Sequence, residues 1–417
     1  MHAAAAQSPQ STTPLTLAQA ESFALKNHPE IASADFRSNA SKQAVNAAQS
    51  AYYPTVVGNL TGALVADPGT AIAAGNLTTS SISNRIAVGG ALLQMVTDFG
   101  RTSALVHTAQ FQAKAQGQAA VETREQVLLG VTGAYFDVLS SEAVLHATQQ
   151  DLESRSLTLR QITALQQSQL KSTLDVSFAQ VLESEAELAV YRAENTVHES
   201  RARLGAAIGQ QQTVNAPLQD EQLPAPLEPD VEALVSLAEQ QRPDLLALDA
   251  RRNAAHQYEQ AEKDLRNPLI DVHAAAGEIP EHDRTLHDNY AAAGFNINIP
   301  VFTGGLFKAR REEADLQAKA EDKDVENLRN QIASDVREAW FEANNAFHQL
   351  DVTARLVEQA RTGLRLAQAR YDNGLGSIVE LNEAQLNETS AEIQAASAKY
   401  GYLSRRAELD FTTGALR

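Results

Sequence analysis

Apolar residues recur along most of the chain at alternating steps of three and four positions. Such a period predicts long α-helices that wind around one another in a left-handed supercoil. A long exposed helical hairpin or a spectrin-like rod has the same period. Because many of the repeating positions are Ala or Thr, we expect helices that approach closely and have more than one neighbour. The first half contains Val127, Val131, Ala134, Val138, Ser141, Leu145, Thr148, Leu152, Leu159 and Ile162, interrupted only by Arg155. The second half contains Ile332, Val336, Ala339, Ala343, Ala346, Leu350, Thr353, Val357, Ala360, Leu364, Ala367 and Tyr371.

A second pattern, strict alternation, marks two shorter segments. It is clear in Phe295-Asn296-Ile297-Asn298-Ile299 and weaker in Ile86-Ala87-Val88. Each segment has room for two strands around a polar loop, which runs from Asp67 to Ser83 in the first segment and from Gly277 to Arg284 in the second. The predicted strands are 54–66, 82–97, 269–277 and 289–299.

These strands have the length and alternation of tilted strands in a membrane barrel. Two strands do not stand alone in water, and four are fewer than the 8 of the smallest membrane barrels. If the strands span a membrane, several copies of the chain must therefore share one barrel.

Self-comparison indicates a tandem duplication of about 200 residues per copy. Tyr53-Pro54 matches Asn267-Pro268, and Ala134-Tyr135-Phe136 matches Ala339-Trp340-Phe341. We predict a first repeat at 1–214, a Pro-rich linker at 215–230 and a second repeat at 231–417. The first repeat comprises helix 16–50, strand pair 54–97 and helices 101–208; the second comprises helix 231–264, strand pair 268–300 and helices 305–411.

Helix lengths give a separate argument about shape. The long arm that begins at Arg101 is about 100 Å long, and the two shorter helices of the same repeat are about 50 Å each. Two short helices stacked end to end therefore match the long one. We expect a helical cylinder about 100 Å tall, joined to a strand pair at one end.

Composition excludes several classes of protein. The net charge of −18 disfavours nucleic-acid binding, and the lack of cysteine excludes disulfides, thiolate nucleophiles and cysteine metal clusters. No uncharged apolar run approaches the roughly 18 residues of a membrane-spanning helix. The sequence has no Gly-x-Ser-x-Gly, His-Glu-x-x-His or Walker motif, so we expect no catalytic site, cofactor or bound metal. The start, Met1 to Gln7, fits either the remainder of a processed export signal behind an added Met or a disordered end.

Several motifs, taken in order, resemble the outer membrane factor family, the TolC-like outer-membrane efflux channels of Gram-negative bacteria. Each motif is weak alone, but their order, spacing and duplication are specific, and the resemblance covers nearly the whole chain. The motifs are Tyr53-Pro54, Asp98-Phe99-Gly100-Arg101, Ala134-Tyr135-Phe136, Ile299-Pro300-Val301-Phe302-Thr303-Gly304-Gly305 and Arg370-Tyr371-Asp372-Asn373-Gly374-Leu375-Gly376-Ser377.

The resemblance implies a mostly α protein with a small β part. It implies a homotrimer in the outer membrane, with four strands per protomer in a twelve-stranded β-barrel and a twelve-helix tunnel through the periplasm. The implied partners are outer-membrane lipid, a periplasmic adaptor (membrane fusion) protein and an inner-membrane pump or ABC exporter. The chain itself would be a passive exit duct for efflux or type I secretion and not an enzyme.

The resemblance also assigns roles to the tips of the two helical hairpins. In the family these tips contact the adaptor and form a closable entrance, and the matching residues are Leu170, Lys171, Ser172, Gly374, Leu375, Gly376 and Ser377. Ordinary turn chemistry explains the glycines equally well. Gln169 stands where the repeat places Gly374, so the first tip departs from the glycine pattern.

Two acidic residues match the lining of the family's entrance, and a third is a further candidate for it. Glu380 and Glu383 have i, i+3 spacing, which places them on one helix face, and Asp175 is the repeat mate of Glu380. Rings of carboxylates around a trimeric aperture would attract cations, whereas the alternative is a plain solvated helix face. Gly376 stands where the family places a basic residue that ties the closed entrance together; its repeat mate Lys171 is the candidate substitute.

Two matters stay open in the sequence. His273, His282 and His287 surround a predicted loop but lack the spacing of a metal motif, so we interpret them as incidental. The alternative to a channel is a soluble periplasmic coiled-coil scaffold or adaptor, in which the strands would form a soluble β-domain. The transported substrate has no signature in the residues.

Overall fold

The computed structural model describes residues 14–64, 71–74, 78–81, 84–282 and 287–416. The N-terminal segment Met1 to Gln7, the loop residues Asp67-Pro68-Gly69 and the loop residues Asp283 and Arg284 lie outside the described residues.

The described chain is mostly helical and repeats its helix lengths, as the sequence predicts. Helices α3 and α7 each have 67 residues, α4 and α8 each have 35, and α1 and α5 each have 11. The helices are α1 (Leu17–Asn27), α2 (Pro29–Gln49), α3 (Arg101–Gln167), α4 (Thr173–Ala207), α5 (Val231–Gln241), α6 (Pro243–Asp264), α7 (Leu306–Asp372) and α8 (Ile378–Thr412).

Two predicted helices are each divided in two, so the single helices 16–50 and 231–264 were wrong. The breaks fall at His28, before Pro29, and at Arg242, before Pro243. Proline is suited to the first position of a helix, but it forces the preceding residue out of the helical conformation. His28 and Arg242 accordingly have extended backbone, with ψ of 123° and 122°.

The strands differ from the predicted ones at their ends. They are β1 (Thr55–Ala63), β2 (Ala71–Ala74), β3 (Thr78–Ser81), β4 (Arg85–Thr97), β5 (Leu269–His282) and β6 (Asn289–Asn298). The first predicted polar loop contains the hairpin β2–β3, and β5 continues to His282 through most of the second predicted loop. The bounds of both predicted loops were therefore wrong.

The main sheet is antiparallel, in the order β1-β4-β5-β6. Its central pair joins β4 of the first repeat to β5 of the second. One row across the sheet places Tyr290 of β6 beside Gly277 and Gly89. A Cβ built on Gly89 would lie 2.3 Å from the Tyr290 hydroxyl, so these glycines make room for the tyrosine.

The contacts within the chain define two compact units, which do not coincide with the two repeats. Unit 1 comprises 1–36, 118–246 and 327–417; unit 2 comprises 37–117 and 247–326 and contains the main sheet. Each unit therefore draws on both halves of the sequence.

The core of unit 1 explains the Ala134-Tyr135-Phe136 motif. Tyr135 is fully buried, and its hydroxyl donates to the carbonyls of Leu15 and Gln219. Burial, followed by the charge of Glu221, raises the pKa of Tyr135 to about 12. Its repeat mate, Trp340, donates its indole N–H to the carbonyl of Glu228. Both aromatic residues thus form hydrogen bonds with the backbone of the segment predicted as a linker, 215–230.

Helix α3 has the length and composition of a membrane-crossing helix, with an 18-residue window of mean hydropathy 1.3. Charged residues such as Asp137 interrupt the apolar positions of α3, so a criterion based on uncharged runs does not find this helix. Half of that window is buried, and Val131, Tyr135 and Val138 of α3 lie in the core of unit 1. Core packing therefore accounts for the apolar composition of this helix.

Candidate functional site

The tip of the first hairpin, between α3 and α4, turns through a left-handed residue. Gln169 has φ of 60°, and the amide of Leu170 donates to the carbonyl of Leu165 at 2.9 Å. This arrangement satisfies carbonyls at the end of α3, as helix-terminating turns do. The tip leaves the side chain of Leu170 70% exposed.

Asp175 belongs to the cap of α4. The hydroxyl of Ser172 accepts from the Asp175 amide, while Asp175 Oδ2 accepts from the Ser172 amide at 3.0 Å and from its hydroxyl at 2.9 Å. These hydrogen bonds lower the pKa of Asp175, the one from the Ser172 backbone most. The carboxylate is therefore charged and has a structural task of its own.

The tip of the second hairpin, between α7 and α8, has the same turn built with glycine. Gly374 has φ of 73°, and its amide donates to the carbonyl of Tyr371. Arg370 reaches the carbonyl of Leu375 with its guanidinium at 3.2 Å. Ser377 caps α8 by accepting from the Glu380 amide. As in the first tip, a leucine projects outward, with Leu375 72% exposed.

The two predicted aperture carboxylates have different surroundings. Glu380 Oε1 is 3.0 Å from Nε of Arg370, so its charge is partly compensated within its own chain. Glu383 is exposed, and no ion pair with it is found among the described residues. Arg370 belongs to a motif of the resemblance, but the sequence does not predict this ion pair, which connects the end of α7 to the start of α8.

Gly376 lies where the two helices of the second hairpin come together. A Cβ at this position would be 3.2 Å from both Arg370 Cβ and the Tyr371 amide nitrogen, and 3.3 Å from Glu380 Oε2. The packing thus favours glycine here, in place of the basic residue expected from the resemblance.

Lys171 instead joins the two tips. Its ammonium lies 4.4 Å from the centroid of the Tyr371 ring, a cation–π distance. Below this contact Ile162, Ala179, Tyr371 and Leu381, one from each of α3, α4, α7 and α8, form a buried apolar cluster. The structure therefore brings the two predicted tips together.

A buried polar layer between α3 and α8 was missed by sequence analysis. Arg155, which interrupts the apolar seam, is only 7% exposed. Its Nε contacts both carboxylate oxygens of Asp151 at 2.8–2.9 Å, and its Nη1 donates to Asn382 at 2.9 Å. Gln385 adds a hydrogen bond to the hydroxyl of Ser154. The interrupted apolar period was the available signal, since a charge in a seam needs a buried partner.

An acidic cluster lies beside this layer. Burial raises the pKa of Glu388, and the nearby carboxylates of Glu392 and Asp151 raise it further, against the opposing effect of Arg361. Arg361 donates to Glu392 at 2.7 Å. The helix face behind the second tip is therefore predominantly acidic.

Two of the three histidines near the second strand pair, His273 and His282, lie in separate pairs with a carboxylate. His273 Nε2 is 3.2 Å from Asp271, and His282 Nε2 is 3.0 Å from Asp288. Within the described part of the chain, no group of three or more His, Asp or Glu side chains is arranged to hold a metal ion.

The architecture defines a class of protein: long antiparallel helices in a tandem repeat that carries a four-stranded antiparallel sheet. Solved structures share it. A membrane protein from Pseudomonas aeruginosa superimposes with a TM-score of 0.84 at 20% identity, over 95% of this chain and 90% of that one. The outer membrane protein VceC of Vibrio cholerae gives a TM-score of 0.81 at 17% identity, over 95% of this chain and 96% of that one.

Sequence comparison gives the family. The outer membrane efflux protein family matches residues 22–210 and 234–415, and the chain belongs to it. Outer membrane protein TolC of Escherichia coli is 23% identical over 349 residues, which are 80% of this chain and 70% of TolC. Protein CyaE of Bordetella pertussis is 24% identical over 396 residues, 90% of this chain and 79% of CyaE. The protein is therefore an outer-membrane channel of an efflux or type I secretion system, and neither an enzyme nor a soluble scaffold.

Proposed function

We propose that three copies of the chain form one exit duct across the outer membrane and periplasm. The observation that carries this proposal is the four-stranded sheet, in which β1 and β6 lie at the two edges without a further partner strand among the described residues. An edge strand presents a row of unpaired backbone groups, which cannot be left facing lipid. Three such sheets provide twelve strands, enough to close a barrel.

The alternation of side chains along the sheet supports a wall between lipid and water. Phe295 and Ile297 lie on one face of β6, and Asn296 and Asn298 lie on the other. Phe295 is 73% exposed in the single chain. An apolar face toward lipid and a more polar face toward a lumen is the arrangement of transmembrane barrels.

The proposal is tested with the full-length protein. We expect it to fractionate with the outer membrane, to migrate as a heat-resistant trimer on gels and to conduct ions in planar bilayers. A monomer that neither inserts into bilayers nor conducts would contradict the proposed duct.

The tips are proposed to be the periplasmic entrance and the contact with a periplasmic adaptor, which in turn connects the duct to an inner-membrane pump or ABC exporter. Leu170 and Leu375 project from adjacent turns and are exposed, as expected for residues that a partner covers. One relative is the solvent efflux pump outer membrane protein SrpC of Pseudomonas putida, which is 27% identical over 319 residues. Efflux of small molecules is accordingly a proposal for this chain too.

The acidic lining of the entrance gives a prediction about ion selectivity. We expect the double substitution Glu380→Ala with Glu383→Ala to lower the cation preference of the channel in planar bilayers. The reason is that it removes three copies of each carboxylate from the aperture of the trimer. Arg370→Ala should have the opposite effect, since it frees Glu380 from its counter-charge.

The matched control removes two exposed carboxylates from the middle of α4, by Glu185→Ala with Glu187→Ala. The cation preference of each variant is measured from its reversal potential in asymmetric salt. If the control pair and the tip pair change the reversal potential equally, the carboxylates at the tip have no special role.

A further inference from the structure

Unit 2 contains a cavity of about 530 Å³ at the end of its sheet. One wall is formed by the end of β4, the start of β5 and the end of β6. The other walls are formed by the first turns of α3 and α7 and by the last turn of α6. Its volume lies within the range of sites that hold a drug-sized molecule. None of the residues at the hairpin tips contributes to it.

Strand register shows on which face of the sheet the cavity opens. Met95 pairs with Asp271, and Leu269 pairs with Asn298, so these lining residues share one face. The opposite face has Phe295 and Ile297, the side chains that the proposed duct turns toward lipid. In that duct the cavity therefore opens to the lumen, and the inference rests on the proposed function in this respect.

The charge of the cavity is negative. Its lining includes three carboxylates, from Asp98, Asp264 and Asp271, and a single guanidinium, from Arg101. Asp98 Oδ2 accepts from the amide and the hydroxyl of Thr102 at 2.6 Å, which holds it in place as the cap of α3.

The other two carboxylates are oriented by weaker donors. Asp264 accepts from the side-chain amides of Gln260 and Asn267 at 3.2 Å, and Asp271 lies 3.2 Å from Nε2 of His273. Neutral amide donors fix the position of Asp264 without cancelling its charge. The cavity thus keeps a negative potential suited to a cation.

The rest of the lining is apolar and partly aromatic. Leu93, Met95 and Leu265 supply aliphatic surface, and Tyr53 and Phe307 supply rings. Apolar surface binds the hydrophobic part of a ligand, and aromatic faces attract a cationic group. Both features, together with the carboxylates, select the same kind of molecule.

We propose that this cavity is a binding site for organic cations that have an apolar body. Such cations would occupy the site on their way through the duct. The three copies of a trimer would place three such sites around the lumen. A cation bound there is held by the carboxylates and by burial of its apolar surface, and it leaves toward the outside without any chemical change.

Two ions of the same shape and opposite charge test the proposal. Tetraphenylphosphonium and tetraphenylborate have nearly equal apolar surfaces, so the comparison isolates charge. With the full-length protein in lipid nanodiscs, and binding to empty nanodiscs subtracted, we expect at least tenfold tighter binding of tetraphenylphosphonium. Equal binding of the two ions would overturn the proposal.

Three variants connect the binding to this cavity. Asp264→Asn and Asp271→Asn should each weaken tetraphenylphosphonium binding by about threefold or more, because each removes one charge next to the cation. Met95→Trp should weaken it by filling the cavity while leaving the charge unchanged. Asp288→Asn is the control, since Asp288 lies outside the cavity with a 93% exposed side chain.

Trimer migration and single-channel conductance of each variant are measured in parallel. If Asp264→Asn, Asp271→Asn or Met95→Trp keeps both and still binds the cation as tightly as the unmodified protein, the assigned site is overturned. Loss of trimers or conductance in the unmodified protein would contradict the proposed duct, so the two failures are distinguishable.

Discussion

At the scale of single residues, the repeat conserves backbone conformation more closely than residue type. Gln169 and Gly374 occupy the same left-handed turn, with φ of 60° and 73°. Phe99 and Gly304 do the same after β4 and β6, with φ of 57° and 62°. In both pairs the first copy has a side chain where the second has glycine. Left-handed backbone at a residue with a side chain costs about 1 kcal/mol of stability relative to glycine, and the first copy has such a residue at both turns.

The first prediction concerns these turns. We expect Gln169→Gly to stabilise the first tip by up to about 1 kcal/mol and Gly374→Ala to destabilise the second by about as much. A Cβ added at Gly374 has no atom within 4 Å, so the effect would come from the backbone alone. Hydrogen exchange of the tip amides in the full-length protein measures both changes.

Gly363→Ala provides the control, because Gly363 lies inside α7 with equal space around it and without positive φ. There the same substitution should stabilise the helix by about 1 kcal/mol. If Gly374→Ala also stabilises its part of the protein, the tip does not need the left-handed conformation.

At the scale of elements, the buried layer of Arg155, Asp151 and Asn382 shows how a coiled-coil seam accommodates a charge. The Nε–H of Arg155 contacts both carboxylate oxygens of Asp151 on α3, and its Nη1 donates to Asn382 on α8, so the guanidinium links the two helices. Apolar side chains would pack at many registers, whereas this geometry is satisfied at only one. We infer that the layer sets the register of α8 against α3.

The energetic consequence is asymmetric. Asp151→Leu leaves the guanidinium buried without its counter-charge and should cost about 3 kcal/mol or more. The double change Asp151→Leu with Arg155→Leu should recover most of that loss, since buried ion pairs are often replaceable by apolar residues. Hydrogen exchange in α8 around Asn382 reports the local stability. A double variant as unstable as the single one would indicate that the layer contributes more than charge compensation.

At the scale of the whole molecule, apolar residues left exposed on α4 are candidates for the contact between chains in the proposed trimer. Leu174, Phe178, Val181, Leu188 and Tyr191 are each about half exposed or more and follow steps of three, four and seven residues. A stripe with this spacing is the seam of a coiled coil that has a partner. In the proposed trimer the partner is a helix of the neighbouring chain.

Phe178→Asp therefore tests the assembly. The charge would lie in the proposed seam between chains, and we expect fewer trimers on gels without boiling and a lower dissociation temperature. Gln180→Asp introduces the same charge at an exposed polar position two residues away and should leave the trimers intact. Equal behaviour of the two variants would place the contact between chains elsewhere.

The long helices, the paired strands, the duplication and the family are all predictable from the amino-acid sequence. The helices and strands follow from periodicities of 3.5 and 2, which depend on neighbours in the chain. The duplication follows from matched segments of the two halves, and the family from the resemblance of their motifs. The sequence also located both tips and the acidic residues behind the second. The divided helices at Pro29 and Pro243 were within reach of local rules.

The pairing of residues that are distant in the chain is visible only in the folded molecule. Arg155 meets Asn382, Lys171 stacks on Tyr371, and the cavity of unit 2 combines Asp98 with Asp264. The folded molecule also shows that the compact units combine both repeats. The physical reason is that a periodic pattern specifies which face of an element is buried but not the opposing atoms. Those depend on the register between helices more than a hundred residues apart in the chain.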